Sequence, residues 1–221
     1  KNGIGIYVIG SAAKPSIIAN NAELKLDGED SIGMYAKDST TITSLGTISG
    51  SNSKNDKIGV FLDGGDITGT LDYTFEVDGG IGIYMKKYMS YSGQMNLSGT
   101  SYNDGVNDYR AIGILVDKAA GTGILAANLE MSGANGIGIY LDSDNVTGAN
   151  LTYTGQLDMT ATSGNLEKAI GVYVNKASTF NLGTGGAVNI AGDNNIGFYV
   201  ADGGTLNIGN GSVTNTENGI F

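Results

Sequence analysis

A short element, Ile-Gly-aliphatic-aromatic, returns along the whole chain, and its recurrence restricts the fold more than any other feature. Copies begin at Ile4, Ile32, Ile58, Ile81, Ile112, Ile137, Ile170 and Ile196, and a degenerate ninth reads Asn218-Gly219-Ile220-Phe221. Successive starts lie between 22 and 33 residues apart. A repeat of about 20–50 residues points to a solenoid, a propeller or an array. In each full copy the first, third and fifth positions are aliphatic or, at Phe198, aromatic: Ile4/Ile6/Val8, Ile81/Ile83/Met85, Ile170/Val172/Val174. That is period two, the pattern of a strand with one buried face. Glycine and β-branched residues in the motif argue against helix.

Each repeat carries further alternating pairs. Leu24/Leu26, Phe75/Val77, Met95/Leu97, Leu129/Met131, Leu157/Met159, Val188/Ile190 and Leu206/Ile208 predict a second strand. Ile17-Ile18-Ala19, Ile67-Thr68 and Phe180-Asn181-Leu182 predict a third, and turn sequences such as Asp63-Gly64-Gly65 and Asp78-Gly79-Gly80 separate them. Three short strands per repeat, with one proline in 221 residues, predict a right-handed parallel β-helix of about eight three-stranded coils. Leucine-rich and calcium-binding nonapeptide signatures are missing, and a propeller blade needs about 40 residues. We read residues 1–221 as a single repeat segment without caps of its own, excised from a longer rod.

Stacking gives every position a column. The first- and third-position aliphatics are expected to line the interior, with Ile139 among them. Gly5, Tyr7 and their equivalents are then expected to point outward. The result is a glycine column beside an aromatic ladder of Tyr7, Tyr35, Phe61, Tyr84, Tyr140, Tyr173 and Tyr199, interrupted by Leu115. Such a ladder either stacks on itself between coils or offers a strip for sugars or proteins.

Chain length varies at one corner. The longest insertion runs from Ser98 to Arg110, followed by Thr160 to Ala169. Loops protruding from a rigid scaffold are where partner contacts concentrate. Tyr102, Asp104, Asp108, Tyr109 and Arg110 are therefore candidate contact residues, joined by Tyr88 and Tyr91 as an exposed aromatic pair in the same coil.

Composition removes most chemistry. The chain has no histidine, cysteine or tryptophan, so Cys/His zinc sites, thiol nucleophiles and Ser-His-Asp triads are excluded. A net charge of −10, with Arg110 the only arginine, disfavours nucleic acid and anionic lipid. Asp104 and Asp108 near Arg110 make a weak constellation for a polysaccharide-cleaving β-helix, and Asp142/Asp144 is no stronger. Gly121-Thr122-Gly123 lacks the lysine and helix of a phosphate loop. We expect no catalysis, no metal and no cofactor.

The Ile-Gly-x-Tyr/Phe copies, alternating with Leu-x-Leu/Met strands in a cysteine-free chain rich in Gly, Asn, Thr and Ser, resemble the passenger repeats of type V autotransporters. They are most similar to the large fusobacterial-type outer-membrane adhesins, and the similarity extends over the full length. The resemblance implies export, tethering to a bacterial outer membrane by a C-terminal barrel, and attachment to host cells, glycans or other bacteria. The partner is then a surface receptor, protein or glycan. A spacer rod with no ligand of its own is the alternative.

Overall fold

The computed structural model describes residues 3–67, 72–88, 91–117, 122–144, 146–160, 168–191 and 194–215. Among them the chain is all-β, has no helix, and winds as a parallel β-solenoid of about seven turns. The expected copy at 218–221, the middle of the Thr160–Ala169 insertion, Thr68 and Gly121 lie outside the described residues.

The Ile-Gly copies form one eight-stranded sheet in chain order: β1 (Gly3–Ile9), β4 (Ser31–Lys37), β7 (Ile58–Asp63), β10 (Ile81–Met85), β14 (Ile112–Val116), β17 (Ile137–Leu141), β20 (Ile170–Val174) and β23 (Ile196–Val200). All neighbours are parallel and the repeat stays in register: Ile81 pairs with Ile58 and Ile112, and Tyr84 with Phe61 and Leu115. A second eight-stranded sheet comprises β3 (Leu24–Leu26), β6 (Thr47–Gly50), β9 (Asp72–Phe75), β11 (Gln94–Leu97), β16 (Asn128–Met131), β19 (Gln156–Met159), β22 (Ala187–Ile190) and β25 (Ser212–Asn215). The third side is split. One part holds β2 (Ser16–Ala19), β5 (Thr40–Ser44) and β8 (Asp66–Ile67), the other β15 (Thr122–Leu125), β18 (Asn150–Tyr153), β21 (Thr179–Leu182) and β24 (Thr205–Ile208).

Two strand assignments need correction. Leu206/Ile208 belongs to the third side, where Leu206 stacks on Phe180; the second sheet is continued by Val213 above Val188. Phe75 and Val77 are both buried, but the strand pair of β9 aligned with Met95/Leu97 is Tyr73/Phe75, and Val77 lies beyond the strand. A tyrosine with a backbone acceptor is as acceptable inside as a valine: Tyr73 Oη donates to Gly82 O at 3.1 Å.

The core is made by the third and fifth positions of the first sheet. Val60, Leu62, Ile83, Met85, Ile114, Val116, Ile139, Leu141, Val172 and Val174 are all 0% exposed. They face Phe75, Met95, Leu97, Leu129, Met131, Leu157 and Met159 of the second sheet within one continuous cluster. Each such aliphatic side chain contributes about 1.5–3 kcal/mol through burial, shared with the coils on either side.

The first position does not join them. Ile81, Ile112, Ile137 and Ile170 form a separate cluster with Leu115, against which Tyr84, Tyr140 and Tyr173 pack on the outside of the sheet. The glycine turns inward instead. A Cβ on Gly59 would lie 2.1 Å from Tyr73 Oη, and one on Gly82 2.2 Å from Met95 Cε. Strict alternation therefore breaks at the glycine, and two successive residues, Gly82 and Ile83, are both interior. The cause is proximity: the second sheet leaves no room for a side chain at this level. The expected outward glycine column and inward first-position column are both overturned.

Candidate functional site

The outward fourth positions stack as a ladder. Ring centroids are 4.9 Å apart for Tyr7–Tyr35 and Tyr35–Phe61, 4.8 Å for Phe61–Tyr84, 4.9 Å for Tyr140–Tyr173 and 4.8 Å for Tyr173–Tyr199. These are the spacings of strands in a sheet, so backbone pairing sets the ring separation. Most ring faces are covered by the next ring. Leu115 divides the ladder into Tyr7–Tyr84 below and Tyr140–Tyr199 above.

The hydroxyls of Tyr35, Tyr84 and Tyr140 each meet the sixth position of the next coil. Tyr35 Oη donates to Asp63 Oδ2 at 2.8 Å, and Tyr84 Oη to Asp117 Oδ2 at 2.5 Å. Asn175 Nδ2 donates to Tyr140 Oη at 3.1 Å. Above Phe61, which has no hydroxyl, the sixth position is Lys86, which has no acceptor; its ammonium lies 3.5 Å from Asp63 Oδ1. Burial, then the Asp63 hydrogen bond, pushes the Tyr35 pKa up to about 12. The same bond, reinforced by Lys86, holds Asp63 below the usual carboxylate range despite partial desolvation. Burial and Asp117 likewise push Tyr84 well up.

The longest insertion is a hairpin, β12 (Tyr102–Asn103) and β13 (Asp108–Tyr109), antiparallel, on the corner that leads into β14. Tyr102 and Tyr109 face each other at 6.5 Å, and Asn103 Nδ2 donates to Asp108 Oδ1 at 2.5 Å. Asp104 Oδ1 accepts from the N–H groups of Val106 and Asn107 at 2.9 and 2.8 Å, which fixes the tip. Its Oδ2 meets Lys54 Nζ at 2.7 Å, tying the hairpin back to an earlier coil. Lys54, then these N–H groups, hold the Asp104 carboxyl far below its ordinary range. Val106 at the tip is 85% exposed.

Arg110 acts on the scaffold. Its Nη1 donates to the carbonyls of Asn135 and Lys168 in later coils. Its own carbonyl accepts from Asn55 Nδ2 at 2.9 Å, and the same amide donates to Gly79 O at 2.8 Å. Tyr88 and Tyr91 are not an exposed pair. Tyr91 is 1% exposed, with Oη donating to Gln94 O at 3.0 Å, and burial pushes its pKa up. Tyr88 is half-buried against the core, its ring over Gly123, where a Cβ would meet its Cγ at 2.2 Å. Both lie along the chain between β8 and β15 of the third side and pack into or against the core there.

A second aspartate, Asp144, repeats the bonding of the hairpin tip. Asp144 Oδ1 accepts from Val146 N at 3.0 Å and Thr147 N at 2.7 Å, and Val146 is 86% exposed. The shared signal was legible: an aspartate followed two residues later by valine and then by Asn107 or Thr147. This turn follows the C-terminal end of β17, while the hairpin precedes the N-terminal end of β14. The two flank the level at which Leu115 interrupts the ladder.

Two hollows adjoin the hairpin. One of about 450 Å³ is lined by Asp27, Glu29, Asp30, Lys54, Lys57 and Tyr102, among others. The other, of about 270 Å³, is lined by Asn55, Asp108, Arg110, Ile112, Ile137 and Tyr140. No helix among the described residues is long and apolar enough to cross a membrane. No group of three or more metal-ligating side chains is found among the described residues. Comparison with protein-family models, with curated proteins and with solved structures gives no match.

Proposed function

We propose that this chain is a structural and adhesive segment of a bacterial cell-surface autotransporter passenger, a rod that carries contact loops away from the outer membrane. The observation that carries the reading is the division of labour in the coil. Register is kept across eight strands of the first sheet, whereas the longest insertion emerges as a hairpin at a corner. That arrangement suits a stiff support bearing local decorations. The motif's resemblance to adhesin passenger repeats supports the location, and the absence of cysteine agrees with transit through an oxidising envelope.

The test is attachment. The fragment, immobilised on beads, should bind host or bacterial cells, and deletion of Ser98–Tyr109 should weaken that binding. Attachment unchanged by the deletion removes the hairpin's role, and no attachment to any cell type leaves the spacer reading. The self-covered faces from Tyr35 to Tyr84 favour that second reading for this part of the ladder, since stacked rings present only edges.

A further inference from the structure

We propose that the hollow between the hairpin and the first sheet binds one neutral pyranose ring, with Tyr140 as its stacking wall and Asp108, Arg110 and Asn55 as its polar rim. The proposal deepens the adhesive reading and rests on it for its biological sense, though not for its chemistry.

Three observations lead there: a turned ring, the size and floor of the hollow, and its rim. The ring of Tyr140 stands 64° from that of Tyr173, whereas the other ladder pairs are inclined by 6° to 36°. On its other side the register neighbour is the aliphatic Leu115, so Tyr140 has a ring neighbour on one side alone and lines the hollow beside Ile112 and Ile137. Asn175 holds the phenol in this orientation through its hydroxyl. No other ladder tyrosine combines a turned ring with a non-aromatic neighbour inside the rod.

The hollow is also the right size. At about 270 Å³ it lies just under the usual small-ligand range of about 300–1,000 Å³. A single six-membered ring is a ligand of that scale. Its floor is aliphatic, Ile112 and Ile137, each 7% exposed and already part of the outer apolar cluster.

The rim matches a ring edge that carries hydroxyls. Asp108 supplies carboxylate acceptors, Arg110 guanidinium donors and Asn55 an amide oxygen. One carboxylate and one guanidinium make the rim neutral overall, which disfavours a free anion or cation and favours an uncharged polyol. These groups are held before any ligand arrives. Asn103 fixes Asp108, two backbone carbonyls fix Arg110, and Gly79 O and Arg110 O fix Asn55. Preorganisation lowers the ordering cost of binding.

The experiment is saturation-transfer NMR on the intact 221-residue chain with glucose, galactose, mannose, fucose, N-acetylglucosamine and N-acetylgalactosamine in turn. Tyr140→Ala, Asp108→Asn and Tyr199→Ala are measured alongside, and circular dichroism establishes that each is folded. At least one sugar should show transfer, weakened at least about tenfold in affinity by Tyr140→Ala and by Asp108→Asn and retained in Tyr199→Ala. No transfer from any sugar, or transfer that survives both hollow variants, overturns the proposal. Cell attachment of the same proteins separates the two readings. Cells bound without any sugar transfer overturn the pyranose site and leave the adhesive rod standing. Sugar transfer lost in the hollow variants, without cell attachment, supports the site and removes the adhesive role of this segment.

Discussion

The hydroxyl of Tyr35 donates to the Asp63 carboxylate one coil above it, at 2.8 Å. Tyr84 and Asp117 repeat the arrangement two coils later. The side chain at position four of one coil is thus matched to position six of the next, in addition to stacking on its own column. Lysine at position six stands above Phe61 at Lys86 and above Tyr7 at Lys37. The ladder is a hydrogen-bonded and ring-stacked seam along the outside of the rod, and it stiffens the contact between coils independently of the core.

This seam has a pH signature. Folding raises the Tyr35 pKa from 10.0 to about 12, so its stabilising share is complete below pH 10.0 and is lost as pH climbs through about 12. Asp63 behaves oppositely: its folded pKa is lowered, so its share is present above the ordinary value of 3.8 and fades as pH falls through the folded value. Thermal melts should hold a plateau near neutrality and fall on both sides. Tyr35→Phe should flatten part of the alkaline fall, and Asp63→Asn part of the acid fall. A pair of curves superimposable on wild type would show that the hydrogen bond is not formed in solution.

The inward glycine is tested by adding one carbon. Gly82→Ala places a Cβ against Met95 Cε and 2.7 Å from Gly113 O, and should cost about 1–3 kcal/mol by overpacking. Gly3→Ala, where nothing lies within 4 Å, should change stability by no more than about 0.5 kcal/mol. Chemical denaturation of both variants makes the comparison. Equal effects would mean that the motif glycine faces outward after all.

Positions one and three of the motif should also separate. Ile139 is 0% exposed and Ile137 is 7% exposed, on opposite faces of β17. Ile139→Asp buries a carboxylate without a partner and should cost several kcal/mol, roughly 3–5, or prevent folding. Ile137→Lys should cost far less, because the aliphatic stem can lie along the outer cluster with its ammonium in water. Urea midpoints read both, and an Ile137→Lys variant as damaged as Ile139→Asp would return the first position to the interior.

These outcomes mark what the sequence disclosed. Ile81 above Ile58 and Tyr84 above Phe61 could be read directly, because a solenoid places identical motif positions in register. The facing of Gly82 could not. Alternation was inferred from side chains that prefer one face, and glycine has no side chain to express a preference; the distance to Met95 in another sheet decided it. Tyr73, Tyr91 and Tyr153 were equally hidden, since a tyrosine enters a core once its hydroxyl meets a carbonyl, as Tyr153 Oη meets Ala127 O at 2.8 Å. At the hairpin, the residue types were visible in the sequence. That Arg110 would grip the carbonyls of later coils depended on where those coils lie.

The hairpin tip is held by Asp104 rather than by apolar packing. Asp104→Ala removes the acceptor for Val106 N and Asn107 N and the partner of Lys54. The melting midpoint should hardly move, because the rod does not depend on the tip, but limited proteolysis should cleave near Val106 faster than in wild type. A large fall in the midpoint with no change in cleavage would reverse the roles assigned to rod and hairpin.

The winding of coil upon coil is measured most directly by distances along one column. Thr74, Asn96, Glu130, Asp158, Asn189 and Thr214 follow one another through the second sheet. The chain has no cysteine, so pairs introduced at these positions take spin labels without background. Pulsed dipolar spectroscopy of Thr74 paired with Asp158, with Asn189 and with Thr214 should give separations that lengthen by about 4.8 Å per coil. Separations that do not lengthen steadily with coil number would contradict the parallel solenoid and everything built upon it.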